Sequence, residues 1–199
     1  FDLYIGVSAG ACTLASYLAG QHERNYIVHM KYSTSQRFIN RLRFLKGGHY
    51  MDLDWLWDIT KRESRLDVRA IFSRLEEGDR QFIVVATSLA TGTPLYLQPD
   101  EYTIGRYLKI SCSLPVLYRQ ILTADREMAV DGGIADPIPV IEAWRRGATD
   151  ITVIRCRPSD HMQKKGPLRF AFTLLFKKYP GLARAYSAQI DSYRRAVNF

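Results

Sequence analysis

Apolar residues along this chain fall into short runs broken by glycine, proline and polar clusters, and the runs alternate between strand-like and helix-like spacing. Residues 1–5, Phe1-Asp2-Leu3-Tyr4-Ile5, form a strand-like run that leads into Gly6-Val7-Ser8-Ala9-Gly10 and then into small, helix-compatible residues through Ala19. This reads as strand, sharp turn and helix. Residues 11–19 carry no charge, so this helix is expected to be buried on all sides and to stop at Gly20. Residues 22–50 are mixed, basic and aromatic, and end in a loop at Lys46-Gly47-Gly48. Asp52 or Asp54 is placed to cap a helix through Trp55, Leu56 and Ile59, and residues 68–75 read as another helix ending near Gly78.

Residues 81–89 are the clearest strand, and the unbroken Phe82-Ile83-Val84-Val85-Ala86 marks it as central and covered on both faces. A turn over residues 90–94 leads to Leu95-Tyr96-Leu97, a short antiparallel or edge piece. Residues 102–111 read as a helix broken at Ser113-Leu114-Pro115, and Met128-Ala129-Val130 as a strand running into Asp131-Gly132-Gly133. Pro137 and Pro139 precede a helix over 140–146 that Gly147 ends, and residues 151–156 are expected to form a last buried strand. Strands alternating with helices predict an α/β fold of three layers, with a mostly parallel central sheet between helices.

A length of 199 residues is enough for one substantial core. At 47% hydrophobic and 24% charged, the chain is neither disordered nor collagen-like nor a coiled coil. Cys12, Cys112 and Cys156 are far apart in sequence among apolar neighbours and read as buried thiols of a reducing compartment. The longest uncharged run, residues 3–21, is interrupted by Gly, Ser and Thr and reads as buried, not membrane-spanning. The chain opens without an initiator Met or a signal-peptide pattern, so an upstream segment is expected to be missing and the location to be cytoplasmic.

Charge adds one asymmetry. The 28 Lys/Arg and 20 Asp/Glu give +8, yet residues 1–154 balance at 18 of each, so the whole excess lies in residues 155–199. The aromatics of that segment are interleaved with its basic residues. The favoured expectation is amphipathic helices whose aromatics pack on the domain; the alternative is peripheral contact of 157–199 with an anionic membrane surface, at the inner face of the membrane. Nucleic acid is not an expected partner, since no recognised motif accompanies the charge. The chain therefore divides into a domain over 1–156 and a basic, aromatic helical segment over 157–199.

Gly6-Val7-Ser8-Ala9-Gly10 matches G-x-S-x-G, which carries meaning where it joins a strand to a helix, as here. So tight a turn needs tiny residues at Gly6 and Gly10, and it holds the serine hydroxyl exposed on a strained bend. The helix behind it aims its N-terminal N–H groups at a developing oxyanion, with Ala9 N–H the expected donor. A serine needs a base. Of His22, His29, His49 and His161, only His161 follows in the Ser, Asp, His order of α/β-hydrolases, and it lies in a polar loop. Asp131 is the better candidate: it ends an apolar strand, before Gly132 and Gly133, where α/β sheets place their sites.

Three segments, Gly6-Val7-Ser8-Ala9-Gly10-Ala11, Ser111-Cys112-Ser113-Leu114-Pro115 and residues 130–140 (Val130-Asp131-Gly132-Gly133 through Asp136-Pro137 to Val140), together resemble the patatin-like phospholipase family. The resemblance covers residues 1 to about 156 and implies a Ser-Asp dyad, with Ser8 as nucleophile, Asp131 as base and an acyl-enzyme intermediate. No cofactor and no metal are expected. Residues 38–57 look closer to bacterial members than to plant storage patatins. The family's glycine-rich oxyanion loop has no match in this chain and is expected upstream of it.

Asp52, Asp54 and Asp58 match no calcium loop and read as caps and surface charge, and Gly47-Gly48 lacks the Lys-Ser/Thr of a phosphate loop. Trp55 and Trp57 read as core and rim. An acyl channel is expected from Val116, Leu117 and Tyr118 and from residues 170–176. The functional expectation is a serine acyl hydrolase of lipid esters; the alternatives are a small-ester or thioester hydrolase and a catalytically silent lipid-binding module.

Overall fold

A computed structural model describes residues 1–158 and 179–199. Its centre is strand β2 (Gln81–Ser88), in which every residue from Phe82 to Ser88 is buried. Strand β1 (Leu3–Val7) runs parallel to it, with Leu3 opposite Gln81 and Val7 opposite Val85. Strand β3 (Pro94–Leu97) folds back antiparallel on β2 over Val84–Thr87. The hairpin of β4 (Leu122–Ala124) and β5 (Glu127–Asp131) also joins antiparallel, with Asp131 opposite Ala86. The α/β class is therefore present as a mixed sheet, with parallel pairing, among the described residues, at the core pair β1–β2. Because β1 and β5 use successive, non-overlapping stretches of β2, and β3 overlaps both, β1 and β5 share one edge and meet at their carboxyl ends.

Helices cover both faces. On one, α1 (Ala9–Leu18), α5 (Val68–Glu77) and α6 (Ile104–Ser111) pack Ala11, Ala15, Leu18, Ile71 and Ile110, all 0% exposed, against Phe82, Val84 and Ala86. On the other, α8 (Pro180–Val197) buries Leu182 against Leu89, Val130 and Ile134. Helix α2 (Arg24–Ile27) continues as a π-helical turn over Val28–Ser33, followed by α3 (Arg41–Leu45) and α4 (Leu53–Glu63). Val28, Tyr32, Phe38, Leu53, Leu56 and Tyr118 form a second core there. Helix α7 (Val140–Arg145) has Pro139 as its N-cap and Gly147 just past its end.

Asp52 caps α4 by accepting Trp55 N–H at 3.0 Å, and Asp67 caps α5 by accepting Ala70 N–H at 3.0 Å. Asp54 does not cap; its carboxylate accepts from Lys109 at 2.6 Å and from the Tyr118 hydroxyl at 2.9 Å. Gly20 stops α1 with φ 71°, a left-handed conformation that glycine reaches without strain.

Four expectations need correction. Helix α1 is not buried all round: Gly10, Thr13 and Tyr17 line an open stripe, since a helix packed on one sheet face still has an outer side. Residues 151–156 form no strand, and Val153 and Ile154 are 45% and 91% exposed, because no strand lies beside them among the described residues to complete a ladder. Cys156 follows that run and is exposed. Tyr118, expected in an acyl channel, is 2% exposed and packs in the second core instead. Of the segment 157–199, α8 docks on the domain through its apolar side; His161 and the proposed channel residues 170–176 lie outside the described residues. Among the described residues no helix is long and apolar enough to cross a membrane.

Candidate active site

The meeting of β1 and β5 brings together residues 123 positions apart in sequence. Ser8 is the first residue after β1 and Asp131 the last of β5, and the Ser8 hydroxyl donates to Asp131 Oδ2 at 2.8 Å. Ser8 has φ 52° and ψ −127°, a strained backbone for a residue with a side chain. Its surroundings enforce that strain. Ser8 N–H donates to Ser111 Oγ at 2.8 Å while the Ser111 hydroxyl donates to Val85 O at 2.6 Å, so a buried side chain from α6 bridges the elbow to the central strand. Ser8 O accepts from Ala11 N–H and Cys12 N–H at 3.0 and 3.3 Å, opening α1.

The glycines of the motif differ in what they do. A Cβ at Gly6 would sit 2.4 Å from Ala11 Cα, so only glycine lets the strand pass beneath the helix. A Cβ at Gly10 would meet nothing within 4 Å, so the expected steric demand falls on Gly6 alone among the described residues. At the other half of the site, a Cβ at Gly132 would lie 2.2 Å from Val85 O. Gly133 N–H donates to Asp131 Oδ1 at 2.8 Å, fixing the carboxylate so that Oδ2 faces Ser8.

Asp131 is 3% exposed, and burial pushes its carboxyl up to about 6, against the lowering effect of the Ser8 and Gly133 hydrogen bonds. A carboxylate with that affinity for a proton is a competent base at neutral pH. Its backbone is held by Asp131 N–H donating to Ser113 O at 3.1 Å and by the buried Thr87 hydroxyl donating to Asp131 O at 2.8 Å. Helix α8 pins the loop beyond, through Gln189 Nε2 on Gly133 O at 2.6 Å and the Ser192 hydroxyl on Ala135 O at 3.1 Å. Ala9 and Gly10 are exposed, and among the described residues neither N–H donates to another group. Ala9 and Gly10 are the first two residues of α1, directly after Ser8, at the positive end of the helix.

Sequence reasoning brought out Ser8, Asp131, Gly6, Ala9, Gly10, Gly132 and Gly133, and the structure gathers all of them. It missed the supporting residues Thr87 and Gln189, and it quoted Ser111 and Ser113 only as part of a motif. It also missed that Cys12 Sγ and Cys112 Sγ share an S–H···S hydrogen bond at 3.7 Å beside the elbow, with no disulfide between them. The Cys112 thiol is pushed up by its contact with Cys12, by burial and by the charge of Asp131. No described histidine joins the site: the His22 ring lies against Tyr17, His49 stands between Tyr118 and Asp54, and His29 is exposed.

The family model described as patatin-like phospholipase matches residues 1–144, and the chain belongs to that family of lipid acyl hydrolases. It is 36% identical over 159 residues, 80% of this chain, to the uncharacterized protein YjjU of Escherichia coli (strain K12), of whose length it spans 44%. It is 22% identical over the whole chain to the uncharacterized protein YqhO of Bacillus subtilis (strain 168), of whose length it spans 76%.

Proposed function

We propose that the chain carries a serine acyl hydrolase site that cleaves ester bonds of lipids through a Ser8-Asp131 dyad. The observation that carries the reading is the 2.8 Å hydrogen bond from a strained, helix-capping serine to a buried carboxylate. Asp131 takes the Ser8 proton as Oγ attacks the ester carbonyl. Ala9 N–H and Gly10 N–H receive the oxyanion of the tetrahedral intermediate. Collapse breaks the bond to the alcohol, which leaves with the proton held by Asp131. Water then gives a proton to Asp131 and attacks the acyl-enzyme, and the return of that proton to Ser8 releases the fatty acid. No histidine is required. His161→Ala is expected to leave turnover unchanged; a loss of several hundredfold would restore a Ser-Asp-His triad.

The lipid substrate rests on membership of the family, and the chemistry on the dyad. A panel of p-nitrophenyl esters from acetate to palmitate tests both. Preference for long acyl chains supports lipid hydrolysis, preference for acetate makes the protein a small-ester hydrolase, and no turnover by the full-length protein removes the enzymatic reading.

A further inference from the structure

We propose that residues 24–46 form a membrane-docking face that seats the protein on an anionic phospholipid surface. The purpose of such a face rests on the lipid hydrolase reading; its location rests on separate observations. In α2 and the π-helical turn, Asn25, Val28 and Tyr32 are buried while Tyr26, Ile27 and Met30 are 68%, 41% and 58% exposed. In α3, Leu42 and Leu45 are 70% and 80% exposed, and no α3 residue is buried. Single exposed apolar residues are ordinary, but their concentration within residues 24–46 marks a contact surface.

The charge of the same stretch selects the partner. Residues 24–46 contain six Lys/Arg and no Asp/Glu. Three of the six are used internally: Arg24 donates to Ser64 O, Lys31 pairs with Glu63, and Arg43 donates to the backbone oxygens of Arg37, Phe38 and His49. Arg37, Arg41 and Lys46 are exposed and form no ion pair among the described residues. Exposed leucines between cations, in a stretch that itself carries no acid, suit the headgroup and upper acyl region of an anionic bilayer. The same charge argues against a second copy of the chain, since two such faces repel each other.

The face is held firmly and tied to the site. The three Arg43 bonds, at 2.8, 2.8 and 2.9 Å, clamp residues 37–49 into a fixed loop. Tyr50 N–H and Met51 N–H both donate to Leu117 O, and Arg119 N–H donates to His49 Nδ1 at 3.1 Å. Leu117 and Arg119 belong to the same loop as Ser113, whose carbonyl holds the Asp131 backbone. Asn25 Nδ2 donates to Thr13 Oγ1, one turn along α1 from Ala9. The alternative docking element, the basic tail, has the apolar side of α8 committed to the domain through Leu182, Ile190 and Tyr193.

The test is cosedimentation of the full-length protein with vesicles of phosphatidylcholine alone or mixed equally with phosphatidylglycerol, beside turnover of soluble p-nitrophenyl butyrate. Wild type is expected on the anionic vesicles, with binding that weakens as salt rises. Leu42→Ser/Leu45→Ser and Arg37→Gln/Arg41→Gln/Lys46→Gln are each expected to weaken it at least about tenfold while butyrate turnover stays unchanged. Binding by both variants equal to wild type overturns the proposal, as does a wild type that ignores anionic vesicles. A wild-type dimer that Leu42→Ser/Leu45→Ser dissolves, without vesicle binding, assigns the face to self-association instead. Vesicle binding by a protein that turns over no ester retains the docking face and removes the hydrolase.

Discussion

Replacing Asp131 by Asn separates catalysis from stability in one substitution. Asp131 is 3% exposed and its carboxyl is pushed from 3.8 up to about 6. A pKa unit corresponds to about 1.4 kcal/mol, so holding this carboxylate ionised at neutral pH costs about 3 kcal/mol of folding stability. The sign follows from the raised folded-state value. The cost is complete above pH 6, shrinks as Asp131 protonates below it, and vanishes below the unfolded value near 3.8. The asparagine side chain of Asp131→Asn keeps the shape and an oxygen to accept the Gly133 N–H, and its amide can donate to the Ser8 oxygen, but it carries no charge and takes no proton. Ester turnover is expected to fall about 100 to 10,000-fold. Thermal melts at pH 7.5 are expected to show a gain of up to about 3 kcal/mol, roughly 6–10 °C in Tm. That gain is expected to fade between pH 6 and pH 4. Full activity would refute the base assignment; a variant less stable at pH 7.5, or a gain independent of pH, would refute the buried-carboxylate argument.

Other outcomes follow from the same geometry. The rate kcat/KM is expected to rise about tenfold per pH unit up to about pH 6 and then level, because only ionised Asp131 accepts the Ser8 proton; a profile flat down to pH 5 would contradict this. Ser111→Ala strips partners from Ser8 N–H and Val85 O, so it is expected to cost about 1–3 kcal/mol in chemical denaturation and to lower kcat with KM little changed. Gly6→Ala forces a Cβ against the Ala11 backbone and is expected to prevent folding, whereas Gly10→Ala meets open space and is expected to stay within about 1 kcal/mol of wild type. Equal damage from both would contradict the turn geometry.

What the sequence disclosed was local. The strand at residues 81–89 was legible because an unbroken apolar run marks a central strand, and the elbow because Gly6, two residues before Ser8, answers a steric need. The cap at Asp52, one of the two residues placed for it, follows from a side chain that bonds the next turn, whereas the Asp67 cap of α5 came only with the structure. The union of Ser8 with Asp131 is a property of topology: two strands ending head to head on one edge of β2, which no periodicity encodes. Strand β4 escaped notice because its hairpin turns at Asp125, with φ 52°, where no glycine flags the bend. Residues 151–156 misled because a β-branched apolar run specifies a strand only where a partner lies alongside. The thiol pair of Cys12 and Cys112, and the docking of α8 on the loop after Asp131, are long-range contacts between residues whose sequence neighbourhoods look ordinary.

The central claim is that Ser8 is a nucleophile activated by Asp131. Covalent labelling of the full-length protein with a fluorophosphonate probe, with the adduct located by peptide mass, tests it most directly. The expected result is a single adduct on Ser8 that disappears in Asp131→Asn and persists in His161→Ala. An unlabelled Ser8, or an adduct on another serine, would contradict the account.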